Sequence, residues 1–170
     1  MRGRVYGTAL LLIVILALAF PSFAAGASAA ETKLDAKYAK YEHFIVIDKS
    51  ENRLYYYEEG ALIKSFAVAT GKKDSYTPEG LFSVREKIKN RPYYKEKIKG
   101  GDPKNPLGDR WLGLKVTVNG KTSYAYGIHG TNNEKSIGKY VSAGCIRMHN
   151  KSVRWLYDQV ETGTPVLIRK

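Results

Sequence analysis

"HFIVIDKSENRLYYYEEGALIKSFAVAT", residues 43–70, decides the fold. It contains three runs rich in β-branched and aromatic residues, "HFIVID", "NRLYYYEE" and "ALIKSFAVAT". The polar turns Lys49-Ser50-Glu51 and Glu59-Gly60 separate them. Such spacing reads as an antiparallel meander. Downstream, "GLFSVREKI" adds a strand after the turn signal Thr77-Pro78-Glu79-Gly80, and Asn119-Gly120 joins "LKVTV" to "KTSYAYGI" as a hairpin, because both turn residues tolerate positive φ. Between these strands, residues 89–110 carry three prolines and little periodicity. They read as a long surface excursion of the kind that often serves function.

Helical signals are few. A short turn is expected within residues 133–139. A longer helix starts at Asn150, read as its N-cap, and places Val153, Leu156, Tyr157 and Val160 at i, i+3, i+4 and i+7. Gly163 and Pro165 end it, and "VLI" forms a last strand. The expectation is a mostly β single domain over residues 43–169, with one main helix following the only cysteine.

Upstream, residues 30–42 read as a linker or a short helix. Residues 1–29 have the layout of a secretory signal peptide: Arg2 and Arg4, the apolar run Leu10 to Phe20, Pro21, then small residues. The apolar run falls short of the ~20 residues that span a bilayer. Export is therefore expected, to the cell wall, periplasm or extracellular space, with no membrane attachment after cleavage. Losing two arginines leaves 26 basic and 16 acidic residues, a net charge near +10. That balance favours anionic partners such as wall polymers. The lysines are scattered between strands rather than gathered on one helix, which argues against a nucleic-acid module.

Cys145 has no partner for an intrachain disulfide. It is either a buried apolar thiol or a free reactive one. It follows Ser142, Ala143 and Gly144, small residues that leave a thiol accessible and whose backbone N–H groups can gather around an oxyanion. A nucleophilic thiol needs a base. His129 is the best placed of three histidines, at the end of a strand and before Gly130. His149 belongs to the turn entering the helix, and His43 to the surface. A zinc site built from Cys145, His129 and His149 lacks the expected ligand spacing and a fourth ligand. No metal or other cofactor is expected.

The segment "HGTNNEKSIGKYVSAGCIRMHN" resembles the signature of the L,D-transpeptidase (YkuD-type) catalytic domain: His129-Gly130-Thr131, a gap, then Ser142-Ala143-Gly144-Cys145-Ile146-Arg147-Met148-His149-Asn150. "TPEG", "NPLGDRWLGL" and "FIVIDKSENRLYYYEEG" extend the resemblance over about residues 43–169. Two positions depart from it. Ala143 stands where many members carry histidine, and Glu79 stands where threonine is frequent, a change expected to touch only a turn.

The resemblance implies a β-sandwich-like fold and acyl transfer on peptidoglycan stem peptides, as donor and acceptor. A monomer is expected. Cys145 attacks the L-centre carbonyl of a diamino acid and expels D-Ala. His129 moves the proton, oriented by a backbone carbonyl such as that of Gly130. Gly144 and Cys145 offer the oxyanion N–H groups, and Ser142 either shapes the loop, the reading ranked first, or bonds the histidine. Arg147 either binds a stem carboxylate or pins the loop. Trp111 reads as core more than subsite, Asn150 as cap, and Tyr93 and Tyr94 as cleft-lining candidates. A carbapenem is expected to acylate Cys145. Two alternatives stand beside cross-linking: hydrolysis on the same scaffold, and non-catalytic wall binding.

Overall fold

A computed structural model describes residues 34–170; the signal-peptide reading falls outside the described residues. The described residues form ten strands: β1 (His43–Asp48), β2 (Arg53–Glu58), β3 (Ala61–Gly71), β4 (Gly80–Lys89), β5 (Arg110–Val118), β6 (Lys121–Ser123), β7 (Gly127–His129), β8 (Tyr140–Ser142), β9 (Ile146–Met148) and β10 (Pro165–Arg169). One α-helix, α1 (Asn150–Gln159), follows the cysteine. The mostly β architecture with one main helix is as expected.

The meander forms as read, with β1–β2 and β2–β3 antiparallel. Its turn residues Glu59 and Gly60 have φ of 48° and 80°, the left-handed pair that matches strand twist in a two-residue hairpin. Asn119 and Gly120, at 50° and 73°, join β5 to β6 in the same way. The sheet then closes on itself in the order β1-β2-β3-β9-β7-β5-β4-β10, returning to β1. This is an eight-stranded mixed barrel, with parallel pairs at β1–β10 and β7–β9. Closure removes most of the exposed edges that an open sheet presents.

Alternation sorts the side chains. Ile45 and Ile47 of β1 pair with Tyr56 and Leu54 of β2 and enter the main core. Phe44 and Val46 pair with Tyr57 and Tyr55 on the opposite face. That second face is buried too. Leu34, Tyr38 and Tyr41 cover it, with Tyr38 and Tyr41 stacked on Phe44 at ring separations of 4.7 and 5.6 Å. The described part of residues 30–42 is thus packed on the barrel, through a 3-10 turn at Ala36–Tyr38. The helix α1 drives Val153 and Leu156 into the main core, and Val160 follows directly after it; all three are fully buried. Each such side chain contributes about 1.5–3 kcal/mol by leaving water. The expected turn in residues 133–139 is a 3-10 turn at Glu134–Ser136. No helix among the described residues is long and apolar enough to cross a membrane.

Candidate active site

The parallel pairing of β7 with β9 builds the site. Ile128 faces Ile146, and both are fully buried in the core. Their neighbours point the other way, so His129 and Arg147, which are paired in register, share the outer face. Cys145 stands two residues before Arg147 and falls on the same side. These three side chains line one cavity together with Ser142, Ala143, Ala125 and Tyr126. The long excursion adds Tyr93, Pro106 and Leu107. Tyr94 is 72% exposed and does not line the cavity.

His129 is 3% exposed. Its Nδ1 lies 2.6 Å from the Gly130 carbonyl oxygen. A carbonyl can only accept, so Nδ1 carries the hydrogen and Nε2 keeps its lone pair. The ring stacks on Trp111 at 5.5 Å and 23°, and the Arg91 guanidinium lies 4.1 Å from the centre of the Trp111 ring. Burial pushes the imidazole pKa down from 6.5 to about 4, and the charges of Arg147 and Arg91 push it the same way against the bond to Gly130. His129 is therefore a neutral imidazole at pH 7.

Two glycines make room for the indole. A Cβ on Gly127 would sit 2.6 Å from the Trp111 ring, and one on Gly113 would sit 2.8 Å from its Nε1. These glycines are register partners on β5 and β7. Trp111 lies across them, donating from Nε1 to Glu86 at 3.2 Å. Trp111 is 2% exposed, yet its contact is with the histidine rather than the main core. This role was missed in the sequence, as was Arg91.

The Cys145 thiol donates to the Ala125 carbonyl at 3.5 Å. Burial pushes its pKa up; the Gly127 backbone N–H and the charges of Arg91 and Arg147 partly offset this. The resting pair is thus neutral thiol and neutral imidazole.

Ser142, 2% exposed, organises the loop. Its Oγ donates to the Cys145 carbonyl at 2.6 Å and accepts from the Gly144 N–H at 3.0 Å. Ser142 shapes the loop, and the Gly144 N–H is already committed to it. That amide is not an available oxyanion donor in this conformation, unlike the expectation. Gly144 itself is needed: its φ is 132°, and a Cβ would sit 2.5 Å from the Tyr76 carbonyl oxygen.

Asn150 does not cap the helix. His149 occupies the N-cap position without a side-chain cap bond. The Asn150 side chain instead accepts from the Thr131 N–H at 3.1 Å and donates to the Thr131 carbonyl at 2.8 Å. Its Oδ1 fits where Cβ atoms on Gly108 or Gly130 would stand, at 2.3 and 2.1 Å. The amide thereby clamps the loop that carries His129. His149 turns to Glu134 and does not line the cavity. His43 bonds the Tyr56 hydroxyl at 2.7 Å, also outside the cavity.

Among the described residues, no hydrogen bond or ion pair holds the Arg147 guanidinium, so it does not pin the loop. It projects into the cavity as a planar cationic fork suited to a carboxylate. The excursion above it is ordered by Asn105, 1% exposed, which donates to the carbonyls of Arg91 and Lys99 and accepts from the Leu107 N–H.

Residues 42–168 match the YkuD family model, described as the L,D-transpeptidase catalytic domain. YqjB of Bacillus subtilis (strain 168), provisionally named an L,D-transpeptidase, is 47% identical over 125 residues, covering 74% of this chain and 70% of that protein. YkuD of the same organism, named likewise, is 40% identical over 109 residues, covering 64% of this chain and 55% of that protein. The crystal structure of a mutant Enterococcus faecium L,D-transpeptidase aligns with a TM-score of 0.59 at 24% identity, over 76% of this chain and 50% of that one. The last likeness is one of fold.

Proposed function

The chain belongs to the YkuD family of L,D-transpeptidase catalytic domains, and from that premise we propose that it is an exported cysteine L,D-transpeptidase acting on peptidoglycan stem peptides. The observation that carries this reading is the single cavity holding Cys145, His129 and an unpaired Arg147. As a binding surface alone, that arrangement has no use for a buried neutral imidazole beside a lone thiol.

The reaction follows from the protonation states. Neither partner is ionised at rest, so the thiol proton passes to His129 Nε2 as Sγ attacks the L-centre carbonyl of the donor stem. The S–C bond forms and the carbonyl becomes an oxyanion. Collapse breaks the C–N bond, and the proton held by His129 goes to the leaving D-Ala amine. The thioester is then attacked by the side-chain amine of an acceptor stem. His129 takes a proton from that amine and returns it to sulfur, releasing the cross-linked amide. Gly130 fixes the tautomer throughout, the role that a third group plays in other triads.

Arg91 and Arg147 bring two positive charges to bear on the thiol and imidazole with no carboxylate acting on either. Stem peptides carry carboxylates at and beside the scissile bond, and Arg147 is the natural fork for one. The positive field also stabilises the thiolate and the oxyanion as they form.

Release of D-Ala from tetrapeptide stems tests the reading. Cys145→Ala is expected to abolish release while keeping the folded state and any affinity for wall polymer. D-Ala release at the wild-type rate from that variant would remove Cys145 as the nucleophile.

A further inference from the structure

The nucleophile loop is also held from behind, by a residue with no part in the proton transfers. Thr77 is 1% exposed. Its Oγ1 accepts from the Gly71 N–H at 2.9 Å and lies 2.9 Å from the Gly144 carbonyl oxygen. A hydroxyl has one hydrogen, and the carbonyl can only accept, so that hydrogen is committed to Gly144. None of the described peptide bonds is cis. In a planar trans peptide the C=O and the following N–H point in opposite directions. Holding the Gly144 carbonyl toward Thr77 therefore turns the Cys145 N–H away from Thr77. Ser142, Ala143 and Cys145 line the cavity, and Thr77 does not.

The hydrogen-bond inventory agrees. The Gly144 N–H is taken by Ser142. The Cys145 N–H donates to no protein acceptor among the described residues. It is the amide left for an oxyanion.

Thr77 is itself anchored. Lys49, 5% exposed, donates from Nζ to the Thr77 carbonyl at 3.2 Å and to the Asp74 carbonyl at 2.9 Å. It also pairs with the carboxylates of Asp74 and Glu79, both at 2.9 Å. Glu79 is the position where the chain departs from the frequent threonine. It does more than shape a turn, because it secures the lysine that fixes the segment carrying Thr77.

We propose that Thr77 is a positioning residue, whose hydroxyl aims the Cys145 amide at the developing oxyanion, and that Lys49 and Glu79 anchor it. This rests on Cys145 being the acylated nucleophile, and the test separates the two claims. Two reactions of the purified protein are followed by intact mass on the same sample. A carbapenem acylates sulfur through an oxyanion: the S–C bond forms, the lactam C–N bond breaks, and the thiol proton ends on the lactam nitrogen. Iodoacetamide alkylates sulfur with loss of iodide and builds no charge on a carbonyl oxygen.

Thr77→Val, matched in shape but lacking the hydroxyl, is expected to slow acylation about 10- to 100-fold, less than the ~10²–10³ seen on deleting an oxyanion donor outright. Alkylation is expected to stay within about twofold, while Thr77→Ser keeps most of the acylation rate. Both rates are taken well below the unfolding transition of each variant, with folded fraction checked by circular dichroism, because an unfolded chain would still be alkylated but not acylated; Thr77→Ala replaces the valine variant if that chain does not fold. An unchanged ratio of the two rates in the hydroxyl-free variant, or equal slowing of both reactions, overturns the positioning role. Failure of the wild-type protein to acylate at Cys145 would instead overturn the functional reading.

Discussion

Acid should unfold this protein partly through one histidine. His129 has its pKa pushed from 6.5 to about 4, first by burial and then by Arg147 and Arg91. In the unfolded chain the imidazole returns to about 6.5. Between those values the unfolded state binds a proton that the folded state refuses, so stability rises with pH there. The contribution is complete above about pH 6.5 and is lost as pH falls toward 4. A drop of about 2.5, at ~1.4 kcal/mol for each tenfold change, amounts to about 3 kcal/mol. That is a large part of the 5–15 kcal/mol typical of a folded domain. Urea denaturation of wild type and His129→Asn at intervals from pH 7.5 to 4 measures it. The stability difference between the two should be flat near pH 7.5 and then fall with a slope approaching 1.4 kcal/mol per pH unit, losing about 3 kcal/mol by pH 4. Asparagine can still donate to the Gly130 carbonyl, so the comparison isolates the titration. A difference that stays constant across this range, or grows in acid, would refute the neutral buried imidazole and with it the coupled proton transfer.

Arg147→Met should leave thermal stability within about 0.5 kcal/mol, because the guanidinium holds no protein group. It should lower kcat/KM on stem peptides about 10- to 100-fold, the worth of a charged hydrogen bond of about 1.5–3 kcal/mol; an unchanged kcat/KM would show that the fork binds no substrate carboxylate. Asn150→Ala should destabilise by about 1–3 kcal/mol, since it strands the Thr131 amide and carbonyl. It should also lower activity through the His129 loop, whereas loss of helix content alone in circular dichroism, with activity intact, would restore Asn150 to a capping role. Gly127→Ala should cost about 1–3 kcal/mol by overpacking against Trp111, and should slow D-Ala release as the indole shifts under His129; a variant with wild-type stability would contradict the close approach.

Much of the molecule could be read locally. The meander, the Asn119-Gly120 hairpin and the helix after Cys145 follow from periodicity and turn chemistry that act over a few residues. Cys145 and His129 can be singled out because each sits in a short motif with its own logic, and the fold brings them to one cavity. What escaped the sequence depends on distant partners. Barrel closure rests on β2 pairing with β3 while β10 returns beside β1, far away in the chain. Asparagine at a helix start reads as a cap, and only the fold reveals that Thr131, 19 residues earlier, takes the amide instead. Trp111 looks like core because it is buried, yet the glycines beneath it on β5 and β7 turn it toward His129. The packing of Tyr38 and Tyr41 on Phe44 was hidden because a short, charged, tyrosine-dotted segment carries no periodicity of its own. Thr77 lay in plain view within "TPEG", but its link to Gly144 spans 67 positions and leaves no local trace.

Transfer of an acyl group by Cys145 from one stem peptide to the amine of another is read by incubating the purified protein with tetrapeptide-stem muropeptides and resolving the products by mass spectrometry. The expected products are dimers lighter than two monomers by one D-Ala, absent with Cys145→Ala. Tripeptide monomers without dimers would contradict cross-linking in favour of hydrolysis, and unchanged tetrapeptides would contradict the enzyme itself.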